Sequence, residues 1–263
     1  MSAKCPRKML SCFFFCALLT NISIATDRAN TCTGPRRPCF SVEKKLLGLL
    51  GLPEDVNDAE IVQLLDIPEK RIITTLLVRY RKISSAVPKL VQIVKDSNTL
   101  LPEKMAAADA LCDFGNKEWV ATIKPLLLDP NSLVARTHVK IRVAGLLARA
   151  GDYSQFEIVA ASIGDNRKWV RSMVIKALGN FRHKTEPVTD LAAELLVSLA
   201  ITDPSPRLRQ RAIYSLEKIA KVKPEATSYV IACLESNLDS PDRTLRIICK
   251  GMLRMHGREP KMD

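Results

Sequence analysis

A basic residue recurs six times, each time seven positions before a leucine: Lys70 with Leu77, Lys104 with Leu111, Lys140 with Leu147, Arg171 with Leu178, Arg209 with Leu216 and Arg246 with Leu253. Successive copies lie 34, 36, 31, 38 and 37 residues apart. Positions 3, 6, 7 and 10 after the basic residue are nearly all apolar or small, which is the stripe of an amphipathic helix. Ahead of these helices stand turn signals such as Asp129-Pro130, Gly164-Asp165-Asn166, Asp203-Pro204-Ser205-Pro206 and Asp239-Ser240-Pro241-Asp242. Ahead of the turns come second apolar runs, at 87–94, 119–128, 191–201 and 228–238. A hairpin of two such helices cannot bury its apolar stripe alone, so neighbours must stack. The spacing therefore predicts an all-α chain, a right-handed α-solenoid of about six stacked helical hairpins. A β-sandwich is excluded by composition, since aromatics make up only 5% and there are only 10 glycines for turns.

On these residues the chain resembles the HEAT repeat family, in its short bacterial form. The resemblance is carried by a turn Asp followed by an apolar-basic pair: Asp165 with Val170-Arg171, Asp203 with Leu208-Arg209, and Asp239 with Leu245-Arg246. It covers residues 57–257, with an insertion between Asp129 and Val139 and no turn Asp before Lys70. The family's pattern implies that these Asp and Arg residues form a ladder from one repeat to the next, capping helix starts. It also implies that the second helices of the hairpins line the concave side.

The first residues read as a secretory signal peptide over 1–25: Lys4, Arg7 and Lys8, then the apolar run Leu10 to Leu19, then Ser23-Ile24-Ala25. Residues 26–41 read as an irregular leader, and 42–263 as the helical domain. No transmembrane segment is expected in the mature chain, because the apolar run is far short of the roughly 20 residues a spanning helix needs. The expected location is therefore secreted or periplasmic. Loss of residues 1–25 leaves a net charge of +9, of which +7 falls on residues 139–263. Such a surface suits an acidic partner, and export makes nucleic acid an unlikely one.

Hydrolase, nucleotide-binding and zinc-protease motifs are absent. The histidines, His138, His183 and His256, fall on different repeats. HEAT-type di-iron hydroxylases carry His-Glu dipeptides, whereas these histidines precede Val139, Lys184 and Gly257. HEAT-like glycosylases use Trp and Asp in a basic groove, for which Trp119, Trp169 and Asp113 would be needed; Trp169 reads instead as a packing residue. The third enzymatic relatives, phycobilin lyases, do not fit export. The expectation is thus no enzyme, no metal and no cofactor.

The expected role is an exported scaffold or adaptor that binds another protein with an acidic surface. The alternatives are a HEAT-like enzyme of lyase or glycosylase type, or a binder of an acidic glycan or lipid head group. Positions 2 and 9 after the basic residue lie off the core stripe, which makes Arg142, Arg149, Arg211 and Lys218 candidate binding residues, with Tyr214 beside Arg211. Candidate disulfides are Cys32 with Cys39, and Cys233 with Cys249, the latter equidistant from the turn at Asp239 to Asp242 and facing inward. N-terminal sequencing of protein recovered outside the cytoplasm should begin at Thr26; a start at Met1 would remove the export reading.

Overall fold

The recurrent basic-leucine segments all fold as helices, and each helix ends where the apolar stripe ends. The computed structural model describes residues 39–127 and 137–259; among them are thirteen α-helices and no strand. They fall into two compact units, one ending at Phe114 and one beginning at Gly115. The first holds α1 (Cys39–Leu50), α2 (Asp58–Gln63), α3 (Pro68–Arg81), α4 (Val87–Lys95) and α5 (Leu101–Asp113). Here α2 with α3 and α4 with α5 are hairpins, and α3 packs on both α1 and α5.

The second unit holds α6 (Val120–Ile123), α7 (Thr137–Arg149), α8 (Phe156–Ala160), α9 (Lys168–Leu178), α10 (Pro187–Thr202), α11 (Pro206–Ala220), α12 (Thr227–Glu235) and α13 (Arg243–Met255). Helices α8 with α9, α10 with α11 and α12 with α13 form hairpins. The second helices build one layer, α7 on α9, α9 on α11 and α11 on α13, while α10 packs on α12 in the other. The fold is thus all-α, with HEAT-like hairpins stacked within each unit. Positions 3, 6 and 7 after every repeat basic residue are buried, and at position 10 only Tyr80, Phe114 and His256 are half-buried.

Some elements depart from expectation. Helix α1 spans Cys39–Leu50, so its described part begins inside the segment read as leader. The run at 119–128 is an α-helix only to Ile123 and continues as a 3-10 turn over Lys124–Leu127, since Pro125 has no amide hydrogen for an α-type bond. Helices α2 and α8 have six and five residues, too short for a period to show. The expected insertion after Asp129 falls within 128–136, outside the described residues, as do the signal and most of the leader.

Helix ends follow one chemistry. After α7, Gly151 takes φ 90°, and the amides of Gly151 and Asp152 return to the carbonyls of Ala148 and Leu147. At the end of α3 the same pair of bonds is made by Lys82 and Ile83, with Lys82 at φ 58° despite its Cβ. Within the layer of second helices the constraint is closeness: a Cβ on Gly179 would lie 2.9 Å from the side chain of Ser215 on α11, and one on Gly145 would lie 3.0 Å from Ala177 on α9.

The implied ladder exists, and its rungs run from turn to turn. Arg171 donates from Nε to Asp203 Oδ2 at 2.7 Å and from Nη1 to the carbonyl of Asp165 at 3.0 Å, so one guanidinium ties its own turn to the next. Arg71 repeats this in the first unit, reaching the carbonyl of Leu65 at 3.0 Å and Glu103 at 2.5 Å. Arg209 meets the hydroxyl of Ser240 at 2.8 Å, and Arg246 meets the Ser240 carbonyl at 2.5 Å. Two details of the expected ladder are corrected. The carboxylate of Asp165 bonds Arg167 rather than Arg171, at 2.6 and 2.9 Å, because Arg167 lies two residues away within the same turn. The cap of α13 is Asp242, accepting from the Leu245 amide at 2.7 Å, while Asp239 is exposed, because the N-cap residue must stand three before the amide it serves.

Asp203 is fully buried and Arg171 nearly so. Asp203→Ala should therefore cost about 3–5 kcal/mol by stranding the guanidinium, read as a drop in the urea midpoint. The double change Arg171→Met with Asp203→Leu should cost less than Asp203→Ala alone.

Candidate functional site

Charge is sorted between the two layers of the second unit. Helices α7, α9, α11 and α13 carry fourteen Lys and Arg and a single acid, Glu217. Helices α8, α10 and α12 carry Glu157, Asp190, Glu194 and Glu235 and no Lys or Arg. Glu217 is itself engaged, 3.0 Å from His256 Nε2. Three of the fourteen, Arg171, Arg209 and Arg246, belong to the ladder. The others leave a continuous layer of cationic helices.

In the first unit acids stand on helices that also carry cations, and several of the arginines meet them. Arg79 bridges Asp109 at 2.5 Å and Asp113 at 2.6 Å, and Arg81 meets Glu43 at 2.6 Å. A pocket of about 130 Å³ lies between Arg71, Lys89, Asp66, Asp96 and Thr99. Its charges cancel: Arg71 holds Glu103, Lys89 holds Asp66 at 2.5 Å, and Asp96 accepts from the Asn98 amide and the Thr99 hydroxyl. Those two bonds hold the Asp96 carboxyl below its ordinary range. A ligand of either sign would have to displace an internal partner.

The five candidate binding residues are all in the basic layer, on α7 and α11. They are half-buried rather than fully exposed, because neighbouring second helices pack closely enough to cover their stems. Arg211 on α11 donates from Nη1 to the Ser172 hydroxyl on α9. Burial, with Arg207 one turn away, pushes its guanidinium below the ordinary value. Tyr214 accepts at its hydroxyl from Gln210 Nε2 at 3.1 Å and packs partly on the core.

Trp169 also belongs here, and the expectation that it packs in the core is corrected. It is 45% exposed, with the Arg167 guanidinium 5.3 Å from its ring centre and His138 edge-on at 5.2 Å. Its position, two before Arg171, lies off the buried stripe, and that was the signal available in the sequence. Trp119, by contrast, is buried, with its indole Nε1 unpartnered among the described residues. Asp113 is held by Arg79. His183 lies against Thr185. No group of three or more His, Cys, Asp or Glu suited to a metal occurs among the described residues.

Cys233 and Cys249 both face inward and are fully buried, as expected, but they are free thiols and the expected bridge between them is not formed. Burial pushes both thiols up to about 11. The side chains of Cys32 and Cys39 lie outside the described residues. At pH 8, residue-resolved alkylation should leave Cys233 and Cys249 unmodified in the folded chain and modify them in urea, with half-exposed Cys112 reacting first.

No family model matches the chain, and no curated protein matches it. Among solved structures it is similar to human deoxyhypusine hydroxylase in complex with glycerol, at 18% identity and a TM-score of 0.36, covering 89% of this chain and 98% of that one. That neighbour is an enzyme, so the expectation of a chain without catalytic activity is corrected and not kept.

Proposed function

We propose that the chain is an exported HEAT-type scaffold that binds an acidic protein along the layer α7, α9, α11 and α13. The observation that carries this reading is the charge sorting, fourteen cations to one acid, on helices that pack side by side. Stacked repeats leave the outward positions of such a layer free to differ without disturbing the core. An excess of basic over acidic side chains on one layer favours an acidic partner and speeds its approach. The exposed, arginine-capped Trp169 adds the aromatic-plus-arginine chemistry that dominates many protein interfaces.

The test is a pull-down with residues 26–263 from the extracytoplasmic fraction, beside a triple variant Arg142→Glu, Lys168→Glu, Arg254→Glu. The wild type should enrich an acidic protein, less so as salt rises, and the variant should lose it with an unchanged melting temperature. Equal enrichment by both chains would reject the reading.

A further inference from the structure

The cations of the basic layer are not equivalent, and Arg211 stands apart. It is half-buried, so it has given up part of its hydration, yet its protein partner is a neutral hydroxyl, Ser172 Oγ, and its charged neighbour is another cation, Arg207. The ladder arginine Arg171, two positions before the counterpart of Arg211 in the preceding repeat, is also largely covered, but there a carboxylate meets it. A guanidinium held away from water without a counterion is an incomplete ion pair. Ser172 occupies Nη1, which leaves the Nε and Nη2 edge, the edge that receives a carboxylate in the two-bond fork. Gln210 already donates to the Tyr214 oxygen, so the phenol's own hydrogen remains to be given to an acceptor, one turn from Arg211.

We infer that Arg211, with Arg207, Ser172 and Tyr214, forms a seat for a side-chain carboxylate of an acidic polypeptide segment. This rests on the reading of the layer as a protein-binding face. A polypeptide suits the layer better than a glycan or lipid head group because the same helices expose apolar side chains: Trp169 on α9, and Ile247 and Met255 on α13, the last two 59% and 84% exposed. Aliphatic groups of that kind match a segment that mixes acidic and apolar residues. A polyanionic saccharide gains nothing from Ile247 or Met255.

The experiment uses the full chain and a fluorescein-labelled peptide of alternating Glu and Leu, with heparin oligosaccharide as competitor probe. The peptide should bind, and Arg211→Gln should weaken it by about tenfold or more, while Arg258→Gln, at an exposed position outside the layer, changes nothing. Ser172→Asp supplies an internal carboxylate to Arg211, so it should abolish peptide binding and raise the melting temperature by a few degrees. Peptide binding undiminished in Arg211→Gln or in Ser172→Asp would overturn the seat, as would binding of heparin without binding of the peptide. An acidic protein captured equally by wild type and Arg211→Gln would remove the seat and leave the scaffold reading intact. Arg211-dependent peptide binding with no acidic protein captured would do the reverse.

Discussion

The second unit depends on the guanidinium that spans two turns. Arg171 satisfies a carbonyl of its own turn and the buried carboxylate of the next, and Asp203 in return accepts the Ser205 amide at 2.8 Å, fixing the turn that starts α11. Hairpins have no strong reason to choose one stacking register from apolar contact alone, because an aliphatic stripe tolerates sliding. A planar fork does not. The rung at Arg209 is a weaker copy, with Ser240 in place of the aspartate and Nε left without a partner in the buried interior. The ladder therefore loosens toward the C-terminal repeat, where α11 and α13 also share a smaller contact than α9 and α11 do.

The same residues explain why the second layer can be so basic. Arg171, Arg209 and Arg246 stand near the starts of α9, α11 and α13, and the groups that answer them, Asp203 and Ser240, sit in turns rather than on helices. Nothing in that arrangement asks for acids on α7, α9 or α13, and there are none. The first unit carries helix-borne acids on α5, and these engage Arg71 and Arg79 internally. Two units built on one repeat thus differ in what they can offer to a partner. One is internally neutralised, and the other carries excess positive charge into solvent.

The sequence made the long helices legible because three to four turns are enough for a 3.6-residue period to emerge, and the positions it marked as core are buried. Helices α2 and α8 were hidden because one and a half turns carry no period. The ladder's existence was implied by the family resemblance, but its connectivity was not, since Arg171 and Asp203 are 32 residues apart and only the stacked structure brings them together. For the same reason the link from Arg211 to Ser172, 39 residues away, could not be read in advance, although the choice of Arg211 itself could. Periodicity placed Cys233 and Cys249 facing inward. It does not encode whether two inward sulfurs bond.

The absent side chains of Gly145 and Gly179 have a consequence for how such a protein can change. At these two points helix backbone and neighbour are already in contact, so the spacing of α7, α9 and α11 is set by atoms that cannot be trimmed further. Outward residues on the layer can then be exchanged one at a time without shifting the register beneath them. A single methyl at either glycine would instead move a whole helix and carry every outward group on it to a new distance from its neighbours. Specificity in this chain can drift residue by residue, whereas its pitch can change only in steps.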